Sequence, residues 1–159
     1  MAEKVISQIQ FEIGQIDVLF ESYADLLKQM EKSVPNLVEL TAIASVLHSF
    51  YNGLENIFLS IAKGIDTNVP TSAQWHRDLL SQMIAASEKR SAVLSAETFN
   101  LLKEYLGFRH FFRHSYSFFM EWEELEKLVK PVAGVWTKTK NELQLFVDSL
   151  TTDKTSKND

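Results

Sequence analysis

Apolar residues recur every three or four positions along most of this 159-residue chain, and no stretch alternates in the manner of a strand. Val5, Ile9, Ile13, Ile16, Phe20, Tyr23 and Leu27 make one such series. Leu40, Ile43, Leu47, Phe50, Leu54, Ile57 and Ile61 make a second. At ~100° per residue each series collapses onto one side of an α-helix, so each segment must bury one face against another helix. Punctuation then sets the bounds. Pro35 drives the residue before it out of the helical region, which ends the first helix near Ser33. Asn36 is a natural N-cap for the second, and Gly64 a natural stop. GIDTNVPTS is the clearest loop. A third helix is expected from about Ser72 through WHRDLLSQMIAAS. Ser95, with Glu97 in the first turn, opens a fourth. The last runs from about Glu121 to Leu150, kinked or split at Pro131. The sum is an all-α, four- to five-helix up-down bundle. One domain is expected over residues 1–150. The polar tail 151–159, TTDKTSKND, is expected to be disordered.

Composition narrows the class of function. There is no cysteine, which removes disulfide frameworks and thiolate metal sites. No apolar run approaches the ~18 residues that span a bilayer, and the N-terminal stretch lacks the features of a signal peptide. A soluble cytoplasmic protein without membrane contact is the expectation. The net charge of −5 argues against a broadly basic nucleic-acid coat but permits a local patch.

One stretch runs against that acidic background. FRHFFRHSYSFF, Phe108 to Phe119, holds two Arg, two of the chain's 4 His, a Tyr and five Phe, and no acidic residue lies between Glu104 and Glu121. On a helix, Phe108, Phe111, Phe112, Ser115, Phe118 and Phe119 share an arc of about 120°, expected to face the core. Arg109, Arg113 and Tyr116 fall on one flank of the remaining arc. His110 and His114, four apart, fall on the other. The plainer reading of that polar arc is a solvated basic face; the other is a site. His110 and His114 suit a metal, yet no cysteine and no HExxH pattern supplies the remaining ligands. No GxSxG elbow and no glycine-rich phosphate loop is present. Metal-free RNA cleavage fits the residue types better. In that reaction the ribose 2′-hydroxyl attacks the adjacent phosphate. A histidine can move the proton, and an arginine's forked donors can hold the charge that builds on phosphorus.

Arg109-x4-His114-x-Tyr116 resembles the RX4HXY motif of the HEPN superfamily, in particular the HepT-like toxins. HSFYNGLENIFLSIAK, which carries Glu55, and DTNVPTSAQWHRDLL also resemble that family, and the likeness covers roughly residues 35 to 150, with the motif region at 105–120. The resemblance implies a helical bundle and a metal-independent endoribonuclease toxin needing no cofactor. It implies a homodimer in which two motifs face a shared cleft. It also implies a nucleotidyltransferase antitoxin that adenylylates the motif tyrosine. Carried over, Arg109 would hold the scissile phosphate, His114 would be the general acid or base, and Tyr116 would be the modified residue. His110 stands where the family often has Asn; it and Arg113 are candidate RNA contacts, and Glu55 a candidate auxiliary partner. A different class remains open: a non-catalytic helical binding module that accompanies a nucleotidyltransferase. An ideal helix sets Arg109 and His114 about 140° apart, so either the helix ends near Arg113 or two chains share the work. His48 reads as an interior or interface histidine. His76, after Trp75, reads as a cap or loop-packing residue.

Overall fold

The computed structural model describes residues 2–114, 116 and 120–156. They form α1 (Ala2–Ser22), α2 (Ala24–Gln29), α3 (Leu37–Ile61), α4 (Trp75–Gln82), α5 (Ala96–His114), α6 (Trp122–Val129) and α7 (Val132–Ser156). Each long helix packs on the next in the chain, α1 on α3, α3 on α5 and α5 on α7. Helix α7 closes the ring against α1. The architecture is therefore an all-α bundle of four long helices, with α2, α4 and α6 as short connecting pieces. Among the described residues no helix is long and apolar enough to cross a membrane.

Every long helix sends one large ring to the centre. Phe50 of α3 meets Phe20 of α1 at 5.6 Å, Tyr105 of α5 at 5.5 Å and Trp136 of α7 at 6.1 Å, all edge to face. That geometry sets the positive edge of one ring against the negative face of another, and each such pair adds about 0.5–1.5 kcal/mol to its apolar burial. The Tyr105 hydroxyl donates to the Leu128 carbonyl at 2.7 Å, and Trp136 Nε1 donates to Asp17 at 2.9 Å, so both polar tips are satisfied.

The helix ends follow local chemistry. Asn36 caps α3 through a reciprocal box: its side chain accepts from the Glu39 amide at 2.8 Å, and Glu39 accepts from the Asn36 amide at 3.0 Å. The first helix is shorter than its apolar stripe. It stops at Ser22, Tyr23 leaves helical geometry at φ −109° and ψ 15°, and α2 carries the stripe on. Gly64 is not the stop of α3 either. The helix continues as a π-turn over Ala62–Asp66 and ends at Thr67, a β-branched residue at φ 51°. Gly64 serves a close approach instead, since a Cβ there would lie 2.3 Å from Cγ2 of Val5 on α1.

Arg90 anchors the loop that follows α4. Its Nε and Nη2 grip both carboxylate oxygens of Asp66 at 2.6 and 2.9 Å. The remaining donors reach the carbonyls of Ala85, Ser91 and Gln82. All the donors of this buried guanidinium are used, so it is a structural clamp. Ser95 caps α5 by accepting from the Thr98 amide, and its own amide donates to Glu142 of α7 at 2.6 Å. Pro131 splits the last helix, as its fixed φ and missing N–H require. Beyond the sequence boundary near Leu150, α7 stays helical to Ser156.

Candidate functional site

The rotational phase of α5 is set at its N-terminal end. Thr98, Leu102 and Tyr105 are buried at spacings of four and three, and the next position on that stripe is Arg109. Arg109 is therefore not on an outer polar flank; it points inward and is only 8% exposed. Phe111 lies on the opposite side, 42% exposed, so it is not the core residue that the arc of phenylalanines suggests. Phe108 is buried and Phe112 half-buried, as expected. Ser115, Phe118 and Phe119 lie outside the described residues.

Where Arg109 enters, α3 supplies an acid. Glu55 is buried, and its Oε1 stands 3.5 Å from Nη2 of Arg109. Its Oε2 stands 2.7 Å from Nδ1 of His76, at the start of α4. A carboxylate only accepts, so Nδ1 carries the proton and donates. The approach of Arg109 Nη1 to the same Nδ1 at 3.5 Å is then a contact between two donors, not a hydrogen bond. Among the described residues Nε of Arg109 has no hydrogen-bond partner. A buried guanidinium is thus held by charge and packing, with donors left over, in contrast to the saturated Arg90. The Tyr51 hydroxyl, one turn before Glu55, is buried beside this pair. Burial pushes its ionisation far up, the Glu55 carboxylate pushes the same way, and the Arg109 cation opposes.

Arg109 forms part of the wall of an open cleft of about 500 Å³ between α5 and the start of α4. Ala73, Gln74, Leu106 and Gly107 give it a partly apolar lining, and Arg77, Lys103, Arg113, His76, His110 and His114 give it charge and proton carriers. Among the described residues no carboxylate lines it. On the helix, Arg109, Arg113, His110, Lys103 and His114 span roughly 140° in that order from the bundle outward, with His110 and Lys103 near each other. A wide cleft therefore takes in both ends of the motif. Arg109 sits at its floor and His114, the last residue of α5, at its rim. The rings of His110 and His114 lie 4.7 Å apart, as their spacing predicts. Among the described residues no group of three or more His, Asp or Glu is placed to hold a metal ion.

The other candidates fall as follows. Tyr116, two positions past α5, is 71% exposed and is not among the residues lining the cleft. His48 of α3 packs its ring on Phe112 at 4.9 Å. Its pKa is lowered by burial first, then by the Arg109 and Arg113 cations, so it is neutral at pH 7. The residue that sequence reasoning missed is His76. Its Trp75 neighbour and its place after a polar loop suggest packing, and the ring does stack on Trp75 at 3.5 Å. The same ring also completes a Glu55–His76–Arg109 cluster drawn from three helices. Nothing in the spacing of residues 55, 76 and 109 announces that meeting. Lys103 and Arg77 read in sequence as ordinary surface cations.

Comparison with known proteins agrees with the motif. A family model described as HepT-like protein matches residues 42–150. No curated protein matches the chain, and no solved structure does. The match runs from the first half of α3 to near the end of α7, and takes in Glu55, His76 and the whole cleft. This chain belongs to the HepT-like family of HEPN-type helical proteins.

Proposed function

We propose that the cleft cleaves RNA without a metal, and that the protein is the endoribonuclease toxin of a toxin–antitoxin pair. The observation that carries this reading is Arg109. A guanidinium that lines an open cleft and reaches its carboxylate partner only at 3.5 Å suits a phosphate that offers it closer hydrogen bonds. Arg77, Lys103 and Arg113 extend the positive field for the flanking phosphates. His114 at the rim supplies an imidazole to move a proton, with His110 beside it as a further contact. Arg109 neutralises the charge that builds on phosphorus as the 2′-oxygen attacks. Membership of the HepT-like family supports the same reading. In it the protein works in the cytoplasm as a homodimer. Its partner is a nucleotidyltransferase antitoxin that adenylylates Tyr116, a residue 71% exposed just past the end of α5.

The test is cleavage of RNA by the purified protein in EDTA, beside His114→Ala and Arg109→Ala. Wild-type cleavage is expected, with a loss of about 10²–10⁴-fold in His114→Ala and a comparable loss in Arg109→Ala. If the wild type leaves RNA intact while its mass shows no adenylyl group, the reading falls. The cleft would then be the docking surface of a non-catalytic partner of a nucleotidyltransferase.

A further inference from the structure

Cleavage by 2′-hydroxyl attack moves two protons. The 2′-O–P bond forms as the P–O5′ bond breaks. One proton leaves the 2′-hydroxyl and another must reach the departing 5′-oxygen. The products are a 2′,3′-cyclic phosphate and a 5′-hydroxyl, and no water or electron is consumed. Each chain's RX4HXY motif contributes one imidazole, His114, to this exchange. A second proton carrier with a defined tautomer stands in the same cleft.

We infer, resting on the ribonuclease reading, that His76 is the general base of this cleft, aimed and held by Glu55, with His114 as the acid. Three features of the ring suit it to that role. Its Nδ1–H donates to Glu55 at 2.7 Å, so in the neutral ring Nε2 is the nitrogen left to take a proton. Its plane is fixed by the stack on Trp75 at 3.5 Å. It borders Arg109, whose Nη1 lies 3.5 Å from Nδ1, so a phosphate held on that guanidinium is within a few ångströms of the imidazole. Glu55 is buried on α3, and its charge offsets the charge of His76 once the proton has arrived. No carboxylate contact orients His114 in this way among the described residues; it ends α5 in the open. In the step, Nε2 of His76 takes the 2′-hydroxyl proton and protonated His114 returns one to O5′. Solvent then resets both rings. Glu55 touches no substrate and is a positioning residue.

The charged and titratable groups around His76 are Glu55 from α3, Lys103, Arg109, His110, Arg113 and His114 from α5, and Arg77 from its own helix. Of these, only Glu55 makes a hydrogen bond to the ring. The experiment is the pH–rate profile of cleavage of a fluorophore-labelled single-stranded RNA containing all four nucleotides, in EDTA. Wild type, His76→Asn, His76→Gln and Glu55→Gln are compared, with folding checked by circular dichroism. The asparagine amide can still donate to Glu55, which keeps the local structure without a titrating group. His76→Asn is expected to lose about 10²–10⁴-fold in rate and to lose the fall in rate on the acid side. Glu55→Gln is expected to move that acid-side fall to lower pH, because the imidazolium loses its counter-charge. A folded His76→Asn or His76→Gln that keeps the acid-side fall, at any rate, overturns the assignment while leaving the ribonuclease reading intact. A wild type that cuts nothing overturns both.

Discussion

Arg109 and Arg90 are both buried arginines facing a carboxylate, and they differ in what remains unsatisfied. Arg90 spends every donor inside the protein, whereas Arg109 keeps an unpartnered Nε and reaches Glu55 at 3.5 Å. Leaving a buried donor unmade costs roughly 1–3 kcal/mol, more for a charged group, so Arg109 is held at a cost that Arg90 does not carry. The motif was legible from residue identities alone, but the burial of Arg109 was not, because five phenylalanines in twelve positions suggest the wrong core arc. His48 allows a test at the same scale. Burial, with the Arg109 and Arg113 cations, lowers its pKa below 6.5 in the folded protein. The unfolded chain then binds the more protons just below that value, so the contribution of His48 to stability is complete above pH 6.5 and is lost as pH falls. Between pH 7.5 and 5.5 the wild-type melting temperature is expected to drop more steeply than that of His48→Gln. Equal slopes would remove His48 as the cause.

Among the elements, α3 does the most. Its capping box starts it, its apolar stripe runs through the core, Glu55 holds His76 and Arg109 from behind the cleft, and its π-turn lays Gly64 against Val5. The start of this helix could be read from Asn36 and Glu39, because capping is local chemistry. Its end could not. A glycine near a helix terminus reads as a cap, while the demand on Gly64 comes from a neighbouring helix sixty residues earlier in the chain. Gly64→Ala would bring a methyl to 2.3 Å from a β-branched side chain that has no flexible end to swing away. A loss of about 1–3 kcal/mol is expected, measured by urea denaturation. Gly14→Ala is the control. Its added methyl meets no atom within 4 Å, and in mid-helix it is expected to be neutral or stabilising. Equal effects at both positions would contradict the close-approach explanation.

At the scale of the whole molecule, an acidic chain carries one cationic cleft. The net charge is −5, yet among the described residues no carboxylate lines the cleft. RNA binding is therefore expected to be local and strongly salt-dependent, with a slope of log affinity against log salt of about −0.7 per phosphate contacted. Lys103→Ala and Arg113→Ala should each flatten that slope by about 0.7, as read by fluorescence anisotropy of labelled RNA across a salt series. An unchanged slope in both would place the RNA elsewhere. Net charge alone argues only against a broadly basic coat and cannot locate a patch, since a sum over the chain is blind to position. What the sequence determined by itself was the all-α class, the helix starts at Asn36 and Ser95, the break at Pro131 and the Arg109–His114 motif. Those follow from period, caps and residue chemistry, all of which act over a few positions. What only the tertiary structure decided was which way α5 faces, and that Glu55, His76 and Arg109 meet. The facing of a helix is set by the burial of its whole length, and the meeting by the packing of three helices far apart in the chain.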